Sequence, residues 1–315
     1  MSLKLAKLAA LSIASLSAAV AGAAPGEPDA IIVTGTRMPK AQARDVAQGY
    51  VRRIAVMPFG GQYARWKTPV CPRVIGLSAE NAASINQKIR EIAKAAGASV
   101  GDGFCAPNLD VVFSDDAAGQ MRVIAGRLSS VLTQMSADQR AALLSGAQPV
   151  RWWYFTHVAG VDGHEIGAES AALSSAHISG GGEAGTAATG GPGFMSDGDT
   201  KAMDGSSASL IGTRVQTSFD AVKVLVDVNG ATGKPLDSVG AYVAMIALAQ
   251  IRMDRGTAVD GSILGLFEDG AASVADLSGS DRAFLFALYH TPPNRDRTQQ
   301  AAAMVGMMTQ ILGPR

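Results

Sequence analysis

The sequence predicts an α+β fold: a mixed sheet packed against helices, with one apolar helix buried at its centre. Three observations carry that expectation. Runs rich in β-branched and aromatic residues recur at "NLDVVFSDD", "VRWWYFTHVAG" and "AVKVLVDV", which is strand chemistry. Between them, Ile85, Ile89, Ile92 and Ala96 fall on one helical face. The stretch 238–251, "SVGAYVAMIALAQI", is apolar nearly all round, the pattern of a helix with no wet face.

Length and composition set the frame. The 315 residues allow one large domain or two small ones, and a hydrophobic fraction of 47% supports a sizeable core. Lys and Arg total 27, as do Asp and Glu. That balance argues against nucleic acid or an anionic membrane surface as the main partner. Charged residues are 17% of the chain and Gly numbers 36, which suits an exported protein with long small-residue loops.

The domain organisation expected is a signal peptide over 1–23, a flexible leader over 24–60, and a single domain over 61–315 with a Gly-rich loop at 179–208. Lys4 and Lys7 precede an apolar run, Leu8 to Val20, that is shorter than the about 20 residues a membrane span needs. "AVA" and "AGA" then offer small-x-small cleavage sites, with no Cys for lipid attachment. No later segment reads as a span. The expected location is periplasmic or secreted, with no integral membrane segment after signal removal.

In the leader, Pro25, Pro28 and Pro39 punctuate a polar stretch that contains one strand-forming run, Ile31, Ile32, Val33 and Thr34. The domain opens with "WKTPVCPRVIGL" as a strand. Ser78 N-caps the first helix of the domain, with Glu80 in its first turn, and Gly97 ends it. After "NLDVVFSDD", a helix carries Met121, Ile124, Leu128, Val131 and Leu132 on one side. Ser136 and Gln139 form a capping box for a short helix that stops at Gly146. The aromatic strand follows, then the Gly-rich stretch. Next come the "AVKVLVDV" strand, a turn at "NGATGKP", and the apolar helix. "SILGLF" is a short apolar piece. A helix from Ser280 to His290 halts before Pro292, and a last helix runs from Asp296, with Gln299 completing a box, to Gly313-Pro314.

Cys71 and Cys105 are the two cysteines. In an oxidising compartment they are expected to form one disulfide, with a thiol or metal site as the alternative.

Two resemblances bear on function. The leader segment "PDAIIVTGTRMPK" resembles the TonB-box region at the mature start of TonB-dependent receptors. It implies contact with an envelope protein by strand addition to a sheet edge. The plug and the barrel strands that such a receptor carries are not legible after Tyr50. Over roughly 65–312, "RWKTPV", "PNLDVVFSDD", "VKVLVDV", "SILGLF" and "LSGSDRAFLFALYHTPPNRDRTQQ" occur in the order found in a proteobacterial domain family grouped with the zincin-like metallopeptidases. The resemblance implies a zincin-like scaffold. Catalytic zincins carry HExxH on a buried helix, two His one turn apart for zinc and a Glu to activate water. The matching positions are Ala244, Met245, Ile246, Ala247 and Leu248, which can neither bind a metal nor move a proton. Tyr242 and Gln250 are the nearby polar groups. The resemblance therefore implies a scaffold without its zinc site, no cofactor and no catalytic residues.

Other candidate chemistry is sparse. His157 and His164, with Asp162 and Glu165 close by, offer an alternative metal site for a divergent metal-dependent hydrolase, and His177 is a further candidate ligand. The competing reading is a polar turn with two exposed His. Asp115 and Asp116 read as helix capping rather than an acid–base pair. Trp152, Trp153 and Tyr154 are candidates to line a sugar or peptide groove; alternation points Trp152 and Tyr154 one way and Trp153 the other, so at least one face is expected to be core. His290 suits a helix C-terminus. Met304, Met307 and Met308 are spaced for helix packing, with copper as the remote alternative. Walker A, a dinucleotide fingerprint and GxSxG are absent. The expectation is a binding or accessory module on a zincin-like scaffold, linked to outer-membrane transport through its leader, with the metal-dependent hydrolase as the alternative. A self-associating structural protein is the third reading.

Overall fold

The computed structural model describes residues 38–56, 62–128, 132–133, 135–144, 149–160, 215–253, 261–268 and 274–314. The Ile31–Thr34 run, His164 with Asp162 and Glu165, His177, and the Gly-rich stretch 179–208 lie outside the described residues.

Among the described residues, four strands form one mixed sheet in the order β1-β2-β4-β3. β1 (Pro72–Ile75), β2 (Leu109–Ser114) and β4 (Val215–Asp227) run parallel, and β3 (Val150–Gly160) closes one edge antiparallel to β4. The expected first strand contracts to four residues. The preceding "RWKTPV" contributes isolated bridges, Arg65 to Ser218 and Val70 to Val100. β4 is longer than expected because β3, itself 11 residues long, gives it a partner back to Val215.

Among the described residues the helices with defined bounds include α1 (Lys40–Ile54), α2 (Ala79–Ala96), α3 (Ala117–Ala125), α4 (Ala137–Leu144), α5 (Leu236–Leu248), α6 (Gly279–His290) and α7 (Arg297–Leu312). A single turn at Val228–Ala231 joins β4 to α5, and "SILGLF" supplies a 3-10 turn, Ile263–Gly265. α2 begins as its sequence dictates: the Ser78 side chain accepts from Asn81 N–H, and Gly97 takes a left-handed conformation at φ 95°. The box at Ser136 and Gln139 is present in both directions. α6 starts one turn-position earlier than expected, because Ser278 and Asp281 form its capping box. The last helix is capped by Asp296, whose carboxylate accepts from Thr298 and Gln299 N–H.

The expected leader over 24–60 is corrected from Lys40 onward. Residues 40–54 are α1, and Ala43, Ala47, Tyr50, Val51 and Ile54 are buried against α6 and α7. Those positions repeat at helical spacing, but only Tyr50, Val51 and Ile54 are large, and the three Arg and one Lys of the segment mask the stripe.

α5 starts two residues earlier and ends three residues earlier than expected, and its residues 238–248 are all buried. It packs against α2, β4 and α6. Gly240 sets the α2 spacing: a Cβ there would stand 3.1 Å from Lys88 Cγ and 3.3 Å from Ile85 Cδ1.

Candidate functional site

A helix buried from Ser238 to Leu248 poses a problem at its C-terminus, where the last carbonyls have no intrahelical donor. Here aromatic side chains supply the donors. The Tyr154 hydroxyl lies 2.8 Å from the Ile246 carbonyl and 3.0 Å from that of Ala249, and it accepts from Ile251 N–H at 3.0 Å. Trp66 Nε1 donates to Ala247 O at 2.8 Å, and the Tyr289 hydroxyl donates to Leu248 O at 2.9 Å. Trp152 Nε1 donates to Ile251 O at 3.2 Å. Trp152 and Tyr154 are thus committed to the core side of the sheet. Burial holds the Tyr154 and Tyr289 hydroxyls protonated by pushing their pKa well up. Ala244 to Leu248 are wholly buried in this packing.

The other face of the sheet is different. Register places Arg73, Asp110, Lys223 and Trp153 opposite one another on successive strands, so one row crosses the whole sheet as cation, anion, cation and aromatic ring. Arg73 Nε donates to Asp110 Oδ1 at 2.7 Å, and Lys223 Nζ bonds to Asp110 Oδ2. Asp110 sits on a central strand and is buried; two flanking cations make that position tolerable for a carboxylate. The next row is Ile75, Val112, Leu225 and Arg151. The Arg151 guanidinium is buried, which lowers its pKa, while Asp227 acts in the opposite sense.

α3 lies over part of this face. Asp116 caps it by accepting from Gly119 N–H at 2.9 Å, as expected for the Asp115-Asp116 pair. Between α3 and the sheet is a groove of about 690 Å³, with Arg73, Asp110 and Lys223 in its floor, Trp153 at one end, and Val123, Ile124 and Arg122 along the helix. That size lies within the roughly 300–1,000 Å³ typical of small-molecule sites, as does the pattern of apolar walls with a few convergent polar groups. Val123 is 67% exposed on its rim. Sequence reasoning reached Trp153 and Asp116 but missed Arg73, Asp110 and Lys223. Their alternation with Val and Ile was the available signal; only strand register makes them neighbours.

His157 lies farther along the same strand. β4 carries one extra residue, Asp220, between Phe219 opposite Thr156 and Ala221 opposite Phe155. Such a bulge re-aims side chains, and here it brings the Asp220 carboxylate to His157 Nδ1. Of the residues expected in the alternative metal site, only His157 is described, and its partner Asp220 was not among them. Among the described residues, no group of three or more His, Cys, Asp or Glu is arranged to hold a metal ion. Cys71 and Cys105 are joined as a disulfide, with Cα atoms 6.0 Å apart. Among the described residues, no helix is long and apolar enough to cross a membrane.

Comparison with protein-family models, with curated proteins and with solved structures found no match for this chain.

Proposed function

We propose that the chain is an exported binding or accessory module, built on a zincin-like scaffold, that takes a small amphipathic anion in the groove between α3 and the sheet. The observation that carries the reading is the groove itself, where apolar walls meet a row of ordered charges. Asp110 consumes part of the charge of Arg73 and Lys223, and Arg122 adds a cation at the rim. The balance of the named charges, three cations against Asp110 and Asp116, favours a ligand with one negative group. The five apolar residues at 244–248 support a non-catalytic role for the scaffold. The Cys71–Cys105 disulfide supports an oxidising compartment.

The test uses anilinonaphthalene sulfonate, which pairs an apolar ring system with one anionic group. Bound probe should fluoresce with the native chain. Arg122→Glu and Val123→Trp, both on exposed positions, should weaken it by about fivefold to tenfold, or about 1–1.4 kcal/mol. Binding unchanged in both variants would remove the groove as the site.

The link to outer-membrane transport rests on the leader's resemblance to a TonB box. A peptide of residues 28–40 titrated against the TonB C-terminal domain should bind by β-augmentation; no binding at about millimolar peptide removes it.

A second reading, a metal-dependent hydrolase using His157, draws on the Asp220 contact, since a carboxylate behind an imidazole is a common support for a metal ligand. Zinc at one equivalent in purified protein, lost in His157→Ala, would favour it.

A further inference from the structure

The loop between α2 and β2 combines rigidity with an exposed ring. Arg90 on α2 donates to the Gly101 and Asp102 carbonyls at 2.5 and 3.3 Å, and the disulfide ties Cys105 to Cys71. Phe104 N–H donates to Asp102 Oδ1 at 3.1 Å, which fixes the tip of the turn. The Phe104 side chain is nevertheless 99% exposed. A pinned backbone gives such a ring little freedom to fold back onto its own chain, and little ordering entropy to lose when it is covered.

Elsewhere on the surface is a cavity of about 340 Å³ between α2, α6 and α7. Its walls are aliphatic and aromatic, among them Ile92, Ala95, Leu285, Phe286 and Ile311. Phe286 and Ile311 are 36% and 40% exposed there. For scale, an apolar cavity of about 150 Å³ lined by Leu, Ile and Phe holds benzene. The one charged group on its wall is Arg282, whose side chain is half exposed beside Asp276.

We propose that this cavity receives Phe104 from a second copy of the chain. The chemistry matches on both counts. A phenyl ring meets an apolar cavity, and Asp102, exposed two residues before Phe104, meets Arg282 at the rim. Within one copy the two features cannot meet. Helical geometry puts Ile92, Ala95 and Ala96 roughly 120–160° round α2 from Arg90, the residue that holds the loop. Donor and acceptor are therefore separate patches, so one ring-in-cavity contact leaves a free cavity on the donor copy and a free ring on the acceptor copy, open to a reciprocal contact or to a further copy. This inference is independent of the groove under α3.

Sedimentation velocity on the chain as exported tests it. The wild type should associate further as concentration rises through the micromolar to about millimolar range. Phe104→Asp should weaken association about tenfold or more, as loss of an aromatic anchor does. Ala95→Trp, at an exposed helical position on the cavity wall, should do the same by filling the cavity. An equimolar mixture of the two variants decides the matter. One retains the cavity and the other retains the ring, so the mixture should form a species of two chains and nothing larger. If Ala95→Trp lowers the circular dichroism of α2, Ile311→Asp on the rim takes its place. A wild type that stays monomeric throughout, a Phe104→Asp variant that associates as the wild type does, or a mixture that stays monomeric would each overturn the proposal.

Discussion

The phenol of Tyr50 on α1 donates to the carboxylate of Asp281 on α6, across 231 residues of sequence and with both groups buried. Ser262 Oγ donates to the same carboxylate at 2.6 Å, as do Ile263 N–H at 2.9 Å and Ser278 N–H at 2.8 Å. One buried side chain thus ties α1, the 3-10 turn and the start of α6 together. Removing one donor leaves a buried acceptor short of a partner, so Tyr50→Phe should lower unfolding free energy by about 1–3 kcal/mol in urea. Deleting the residues before Met38 should leave the transition in place, whereas deleting through Val56 should remove it. Equal stability of the two truncations would contradict the packing of α1 against α6 and α7.

Tyr154→Phe should destabilise by about 1–3 kcal/mol, since the carbonyls of Ile246 and Ala249 and the Ile251 N–H lose a partner in a part-buried site. The ring keeps its stacking on Phe219, so the loss isolates the hydroxyl. A change below about 0.5 kcal/mol would mean that the helix end is satisfied some other way.

Asp110→Asn separates two quantities that usually move together. Arg73 and Lys223 lose their counter-charge, and stability should fall by about 1–3 kcal/mol, discounted because both cations are partly exposed. The groove gains one positive charge, so anilinonaphthalene sulfonate should bind more tightly. Weaker probe binding by a folded variant would place the ligand elsewhere.

All five tyrosines have raised pKa values, each with burial as the first cause. Asp281 adds to the rise at Tyr50, and Glu268 to that at Tyr242. A folded-state pKa above the unfolded value contributes stability that is complete below the unfolded value, about 10, and is lost as pH climbs toward the folded one. Tyrosinate absorbance should therefore stay low through about pH 10 and rise together with loss of secondary structure. Tyrosinate signal from a chain with native circular dichroism at that pH would contradict the buried hydroxyls.

The Cys71–Cys105 bridge closes a 34-residue separation that spans α2. Reduction should cost about 3–4 kcal/mol in the chain-entropy account, read as a lower denaturation midpoint with dithiothreitol. It should also free the Phe104 loop, so self-association should weaken in the same sample.

Much of the fold was legible because its signals are local. The Ser78 cap, the Gly97 stop, the Ser136 and Gln139 box and the apolar identity of α5 each depend on residues within a turn or two of one another. α1 was not legible, because its stripe is mostly alanine and a weakly apolar helix has no meaning until α6 and α7 cover it. The candidate site was less legible still. Arg73, Asp110 and Lys223 are 37 and 113 residues apart in their ion pairs, and nothing in a linear chain states strand register.

The sequence by itself determined both ends of α2, the capping box before α4, which strands exist, that two cysteines stand ready to pair, and that positions 238–251 carry no His, Asp or Glu. Tertiary structure alone decided that Trp152 and Tyr154 serve a helix end while Trp153 faces a groove, that Asp110 stands between two cations, and that Asp220 meets His157. The physical reason is that capping and periodicity are short-range properties of the backbone, whereas charge pairing and cavity lining arise only when register brings distant strands side by side.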